Sequence, residues 1–153
     1  MRIYDWNGTA WTQLGADIDG EASYDNSGNS VALSSNGTRV AIGAAYNNGN
    51  GVNAGQVRIY DWNGTAWVQL GSDIDGEASG DYSGHSVALS SDGMRVAIGA
   101  PDNDGNGNNA GHVRVYRFAS ASSAATPVPT LPLFGFGILV SLLGLFGLRK
   151  LRQ

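Results

Sequence analysis

The ten residues RIYDWNGTAW occur twice in this chain, at Arg2–Trp11 and again at Arg58–Trp67. The two copies belong to a longer repeat, because residues 1–56 align without gaps on residues 57–112 and 43 of the 56 positions are identical. A third copy begins at Val113 with VRVYRF and ends after six residues. Self-similarity at a fixed period of this size is typical of repeat architectures, in which each copy is one structural unit.

Each copy carries the pattern of short β-strands joined by tight turns. Asn63-Gly64 lies between two strand-like runs, and Asn-Gly in this setting indicates a hairpin because a type I′ turn needs positive φ at both central positions. Ser91-Asp92-Gly93 predicts a second hairpin, and Asn36-Gly37 is its equivalent in the first copy. No segment before Ala119 shows helical periodicity with caps. The pattern therefore predicts four strands per copy, at Trp67–Gly71, Ser86–Ser90, Met94–Ala100 and His112–Phe118.

Four short strands in a repeat of this length are typical of a β-propeller blade. We expect an all-β fold of about two four-stranded blades over residues 1–118, divided into units 1–56, 57–112 and the partial unit 113–118. The strands VALS and VAIGA are apolar on both faces, as expected of strands packed on both sides by neighbours. The four tryptophans are expected to fill the space between blades; they are Trp6, Trp11, Trp62 and Trp67.

A propeller ring needs about four to eight blades. Two copies and a fraction cannot close one, so either several chains assemble or the sequence is a piece of a longer protein. The start within a strand at Met1 favours the longer protein, because repeats need capping or closure.

The second copy resembles a known repeat family. The stretch SGHSVALSSDGMRVAIGAP, followed by GHVRVYRF, resembles the FG-GAP repeats of integrin-α-type propellers. Ser83-Gly84 stands where that family has Phe-Gly, and Gly99-Ala100-Pro101 matches its Gly-Ala-Pro, whereas Gly43-Ala44-Ala45 in the first copy lacks the proline. The family's calcium site lies in an Asp-rich loop between the second and third of these elements. Here that loop is only SSDG or SSNG, so the resemblance implies no calcium site at that position.

A different loop has the composition of a calcium site. DIDGEAS occurs in both copies, and hard cations such as calcium bind several carboxylate and carbonyl oxygens of a flexible loop. The spacing does not match the EF-hand loop, which favours a solvated loop closed by Asx-turns at the corner of a blade over a calcium site. The candidate metal ligands are Asp73, Asp75, Glu77 and Asp81, with their equivalents Asp17, Asp19, Glu21 and Asp25. Calcium is the only cofactor for which the sequence contains candidate ligands. The loop Pro101–Gly111 is also rich in oxygen ligands, but it loses two aspartates in the first copy, which favours turn chemistry.

Charge and composition exclude several function classes. All thirteen acidic residues lie between Asp5 and Asp104, and such an acidic body lacks the basic surface that nucleic acid needs. The chain has no cysteine, so disulfides, thiolate metal sites and cysteine nucleophiles are excluded. The only histidines, His85 and His112, have no catalytic partners in the pattern, because a nucleophile needs a positioned base and an orienting acid. We therefore expect no enzymatic activity.

The C-terminal region is predicted to be a linker followed by a membrane segment. Residues 119–130 are small, polar and proline-bearing, as in an extended linker. Residues 131–148 carry no charge and are long enough to span a bilayer as a helix. The basic end that follows places the C-terminus in the cytoplasm by the positive-inside rule; it contains Arg149, Lys150 and Arg152. The alternative is a buried core helix, which an 18-residue uncharged run ending in basic residues fits poorly.

This C-terminal order of short proline motif, apolar helix and basic end resembles the PEP-CTERM type of bacterial sorting signal. The residues Val128, Pro129, Thr130 and Leu131 resemble the variant called IPTL-CTERM, with valine in place of isoleucine. The resemblance implies sorting to the bacterial cell envelope, a single membrane pass before processing, and cleavage by an exosortase-type protease. Such proteins must first be exported, and the N-terminus MRIYDWNG is not a signal peptide, which again favours a longer protein.

Two functions follow from these observations. The first is a non-enzymatic bacterial surface module for adhesion, matrix assembly or ligand binding. The second is a scaffold fragment of a larger exported propeller enzyme whose catalytic part lies outside this sequence. Propellers host both kinds of function, and the absence of a catalytic constellation in this sequence favours the first.

Overall fold

The computed structural model describes residues 1–119, and this part of the chain is all-β. No helix in these residues is long and apolar enough to cross a membrane. The sequence predictions from residue 120 onward, namely most of the linker, the membrane helix and the sorting motif, lie outside the described residues. The strands are β1 Tyr4–Trp6, β2 Trp11–Gln13, β3 Ser30–Leu33, β4 Arg39–Ala44, β5 Gln56–Trp62, β6 Trp67–Gln69, β7 Ile74–Asp75, β8 Ser86–Leu89, β9 Arg95–Ala100 and β10 His112–Arg117.

The strands form three antiparallel sheets. The hairpin sheet contains β1 and β2. The first sheet has the order β3-β4-β5-β6, and β7 also pairs with β5. The second sheet has the order β10-β9-β8. The predicted hairpins are confirmed, because Asn63-Gly64 lies in the turn that joins β5 to β6, and Asn36-Gly37 and Asp92-Gly93 lie in the turns that join β3 to β4 and β8 to β9. The predicted type I′ conformation is wrong, because Gly64 has a positive φ and Asn63 does not. The side-chain oxygen of Asn63 instead accepts the backbone N–H groups of Thr65 and Ala66, both at 2.9 Å.

The sheets are offset from the copies of the repeat. Strand β5 begins at Gln56, and β4 pairs with it from Ala44↔Gln56 to Arg39↔Asp61, so the first sheet joins residues of both copies. The strand predicted at Trp67–Gly71 is β6, and it is the last strand of the first sheet. Of the two four-stranded blades expected from the sequence, the described residues contain one sheet with the expected four strands and the short additional strand β7, and one sheet of three strands. Strand β10 is the repeat equivalent of β5.

The first sheet has an apolar core on each face. On one face, Ala41, Val57 and Ile59 pack with Val96 and Ile98 of the second sheet, and all five are at most 2% exposed. Removing a side chain such as Ile59 from water stabilises the fold by about 1.5–3 kcal/mol. On the other face, Val40, Ile42 and Tyr60 form a core with Ile18, against which Met1, Ile3 and Trp67 pack. The burial of β4 on both faces confirms the expectation for its VAIGA sequence. The same expectation is wrong for the VALS sequence of β3, where Val31 and Leu33 are each 54% exposed, because this strand is covered on one face alone in the described residues.

Backbone contact between the first and second sheets is very close at one glycine. A Cβ on Gly43 would overlap the carbonyl oxygen of Gly84, so only glycine permits this approach. The hydroxyl of Ser30 donates to the same carbonyl oxygen at 2.6 Å. The guanidinium of Arg39 donates to the Gly93 carbonyl at 2.7 Å and stacks on the ring of Phe118. These contacts fix the second sheet on the first.

The tryptophan prediction is wrong for one pair. Trp6 and Trp11 are 54% and 68% exposed. They pair across the hairpin sheet with ring centroids 5.5 Å apart, but the described residues add no further strand to this sheet. Trp62 and Trp67 make the same cross-strand pair in the first sheet. Only Trp67 of the four packs against an apolar core.

Candidate functional site

The acidic residues singled out in the sequence lie in two equivalent loops. The first acidic loop, residues 14–29, joins β2 to β3, and the second acidic loop, residues 70–85, joins β6 to β8 and contains β7. Each loop contacts the connection between the second and third strands of the sheet that follows it, at residues 45–55 and 101–111. These four segments are called the loop surface below.

The last aspartate of each acidic loop is buried and holds two loops together. Asp81 is 2% exposed, and its carboxylate accepts hydrogen bonds from the backbone N–H of Ala78 at 3.0 Å and from the side-chain amide of Asn103 at 2.9 Å. Asp25 makes the same bonds with Ala22 and Asn47 at the same distances. The sequence prediction did not include the two asparagines, although they are identical between the copies. Their side-chain oxygens accept backbone N–H groups two residues onward, which closes an Asx-turn.

The glutamates of the two loops lie beside arginines of the adjacent sheets. Glu77 lies 3.8 Å from the guanidinium of Arg114 and 3.6 Å from Nδ1 of His112. In the first loop, Glu21 accepts a hydrogen bond from the Gln56 amide at 2.8 Å and lies 3.9 Å from Arg58. His112 therefore replaces Gln56 beside an equivalent carboxylate.

The first aspartate of each loop is bound by a glutamine on the preceding strand. Gln69 donates to Asp73 at 2.7 Å, and Gln13 donates to Asp17 at the same distance. Asp17 also accepts a hydrogen bond from Arg2 at 2.9 Å. The hydrogen bonds from Arg2 and Gln13 lower the pKa of Asp17.

The second aspartate of each loop uses its backbone for a structural contact. The carbonyl oxygens of Asp19 and Asp75 accept a hydrogen bond at 2.6 Å from Arg58 and Arg114, respectively. Burial raises the pKa of the Asp75 carboxyl, and the negative charges of Asp73 and Glu21 act in the same direction. The Asp75 charge is therefore influenced by a residue of the other acidic loop.

The structure separates the four carboxylates of each copy among different partners. Within residues 1–119, no group of three or more His, Asp or Glu side chains is arranged to hold a metal ion. Calcium binding at these loops stays a prediction.

The four segments of the loop surface are continuous across the two copies. The backbone N–H groups of Gly80, Tyr82 and Ser83 donate to the carbonyls of residues 52–54, at distances from 2.9 to 3.1 Å. The side-chain amide of Asn50 donates to the Gly76 carbonyl at 2.7 Å. Loops fixed to a rigid scaffold in this way are the usual location of binding sites. His85, also on this surface, is exposed.

Comparison with known proteins gives one family match. The family model of the FG-GAP repeat matches residues 73–116, which run from the second acidic loop through β8 and β9 into β10. No curated protein matches the chain. An FG-GAP repeat is therefore found at residues 73–116.

Proposed function

We propose that this protein is a non-enzymatic module of β-propeller type that binds a ligand on the bacterial cell surface, in adhesion or in matrix assembly. One observation carries the proposal, namely the continuous loop surface held by the paired Asp–Asn bonds of both copies. A surface of this kind presents exposed side chains in fixed positions without needing a catalytic group. The exposed residues available there include Tyr24, Tyr46 and Val52.

The delivery of the module to the envelope is part of the same proposal. It is supported by the sequence motif at Val128–Leu131, the uncharged residues 131–148 and the basic end that follows. In the exporting bacterium, we expect an epitope near residue 119 to be reachable on intact cells. Replacing residues 128–131 with alanine is expected to leave an unprocessed chain of higher mass. Equal mass and equal surface exposure of the natural chain and of this alanine variant would contradict the sorting proposal.

The binding proposal is tested by screening the full-length chain against glycan and matrix-protein arrays, with and without calcium. Any ligand found is then titrated against Val52→Ser on the loop surface and against Val68→Ser on the outer strand of the first sheet, since both valines are exposed. Weaker binding by Val52→Ser alone supports the loop surface as the site. Equal effects of the two variants, or no binding to any target, would count against the proposal.

A further inference from the structure

The outer edge of β10 differs from the equivalent edge in the first sheet. Strand β5 is paired on both edges, with β4 on one side and with β6 and β7 on the other. Strand β10 pairs with β9 alone among the described residues. Its other edge therefore presents backbone N–H and C=O groups that an additional strand can pair with.

A cavity of about 430 Å³ lies beside this open edge. Its walls include Leu70, Gly71, Ile74, Tyr116 and Phe118. The volume is within the range of typical ligand pockets, which are mostly apolar and carry a few polar groups.

The first sheet shows which side chain belongs beside such an edge. There, the indole N–H of Trp67 on β6 donates to the carbonyl of Leu14 at 3.0 Å. A Cβ placed on Gly15 would lie 3.3 Å from the Trp67 ring. One repeat later, the equivalent residues are Leu70 and Gly71, and no atom of residues 1–119 lies within 4 Å of a Cβ placed on Gly71. Among these residues, no side chain therefore takes the place of the ring in the second sheet.

The charge beside the edge also differs between the two sheets. In the first sheet, Arg39 is paired with Asp61 by two hydrogen bonds of 2.5 and 2.6 Å. The equivalent pair in the second sheet is Arg95↔Arg117, two exposed arginines directly opposite each other. Asp61 is also paired with Val68 on β6. An added strand would thus place the residue after its tryptophan opposite Arg117, where an acidic side chain is favoured.

The residues that follow β10 differ in sequence from those that follow β5. In the repeat alignment, Asn63-Gly64 and Trp67 correspond to Ala119-Ser120 and Ser123. The sequence after β10 therefore lacks both the Asn-Gly pair of the turn and the aromatic residue.

We propose that the outer edge of β10 binds an extended segment of a partner polypeptide, with a tryptophan in the 430 Å³ cavity and an acidic residue opposite Arg117. This is binding by addition of a strand, in which backbone hydrogen bonds give affinity and alternate side chains give specificity. The segment has the sequence type Thr-Ala-Trp-Glu-Gln.

The probe is a labelled peptide GTAWEQLG, titrated by fluorescence anisotropy against the full-length chain in a mild detergent. Replacing its tryptophan with alanine is expected to weaken binding at least about tenfold, because the buried ring is lost. Replacing its glutamate with lysine is expected to weaken binding about fivefold, because two like charges then face each other. Equal binding of the three peptides, or binding of none, would overturn the proposal.

Protein variants separate this site from nonspecific attraction. Arg117→Asp is expected to abolish or reverse the preference for glutamate over lysine in the peptide. Arg2→Asp makes the same change in net charge just before the hairpin sheet, where it breaks an exposed ion pair with Asp17. It is expected to leave the preference unchanged. Equal effects of the two variants would overturn the proposal.

Two other occupants of the edge give different results. If the chain's own residues after Ala119 cover the edge, the amides of β10 will be protected from hydrogen exchange without peptide, and the peptide will add no protection. If a second copy covers it, the mass of the chain in sedimentation will rise with concentration, and the peptide will not reduce it. Either result overturns the proposal, whereas peptide-dependent protection of β10 in a monomeric chain supports it.

Discussion

Asp81 and Asn103 lie in different loops of the same FG-GAP repeat, and the amide of Asn103 donates to the Asp81 carboxylate at 2.9 Å with both side chains buried. The carboxylate also caps the backbone N–H of Ala78. Asp25 and Asn47 repeat the relationship. The aspartate therefore organises the loops, which is a different task from coordinating a cation.

We expect Asp81→Ala to lower the free energy of unfolding by about 2–3 kcal/mol, because it leaves a buried amide and a buried N–H without an acceptor. Urea denaturation of the full-length chain measures the change. The matched control is Asp102→Ala in the partner loop, where the first copy has Tyr46. Its effect should stay within about 0.5 kcal/mol, as for ordinary surface substitutions. Similar losses for both variants would contradict the role assigned to Asp81.

The contact between the two sheets predicts a contrast between two equivalent glycines. In Gly43→Ala the new Cβ meets the backbone of Gly84 and the hydroxyl of Ser30, whereas in Gly99→Ala it clashes only with the hydroxyl of Ser86, which can rotate away. We expect Gly43→Ala to destabilise the fold by about 1–3 kcal/mol, as overpacking does, and Gly99→Ala to cost clearly less. The midpoints of thermal unfolding rank the two variants. Equal midpoints would show that the sheets do not approach as closely as described.

The strands and hairpins could be predicted because their signals are local. Asn63 closes a turn through its own side chain, which accepts the N–H groups of Thr65 and Ala66, and Gly64 supplies a positive φ. The apolar runs beside the turn have the length of strands. The positions within the repeat at which each sheet begins and ends could not be predicted in the same way. Any cut through a repeat of 56 residues gives the same self-similarity, whereas hydrogen bonding decides that Gln56 pairs with Ala44.

For the candidate site, the sequence predicted which loops carry the acidic residues but not the partners of their carboxylates. Nearness in sequence grouped Asp73, Asp75, Glu77 and Asp81, but the carboxylates of Asp73, Glu77 and Asp81 contact three different elements, and Asp75 makes its contact through its backbone carbonyl. Asp81 bonds to a loop that lies 22 residues further along the chain. Such partners depend on the tertiary fold, although the identity of Asn47 and Asn103 in both copies was a usable signal.

Two carboxylates predict opposite pH dependence of stability. The pKa of Asp75 is raised above its ordinary 3.8, mainly by burial, so its stabilising contribution is present below that value and is lost as the pH rises through the folded-state pKa. As the pH rises from about 3 to about 6, the stability of Asp75→Asn should therefore increase relative to that of the natural chain.

The pKa of Asp17 is lowered by its bonds to Arg2 and Gln13, so its contribution is present above 3.8 and is lost as the pH falls through the lower folded-state pKa. Asp17→Asn should therefore lose stability relative to the natural chain over the same rise in pH. Urea denaturation at both pH values provides the comparison. Differences of the same sign for the two variants would refute the assignment.

The arginine pair of the second sheet predicts a gain in stability. Arg95 and Arg117 face each other directly, where the first sheet places Arg39 and Asp61. Like charges directly opposite on antiparallel strands are destabilising, and opposite charges contribute roughly 0.2–1 kcal/mol. Arg117→Asp is therefore expected to raise the free energy of unfolding by about 1 kcal/mol.

The reciprocal substitution, Asp61→Arg, should lower the free energy of unfolding by more than that, because the Arg39 side chain is only 17% exposed and loses its ion pair in a partly buried setting. Raising the salt concentration should shrink the gain from Arg117→Asp more than the loss from Asp61→Arg, since ions screen exposed charges more effectively. No gain for Arg117→Asp, together with a loss for Asp61→Arg, would mean that the register of β9 on β10 differs from that of β4 on β5. The repeat would then not impose the same sheet twice.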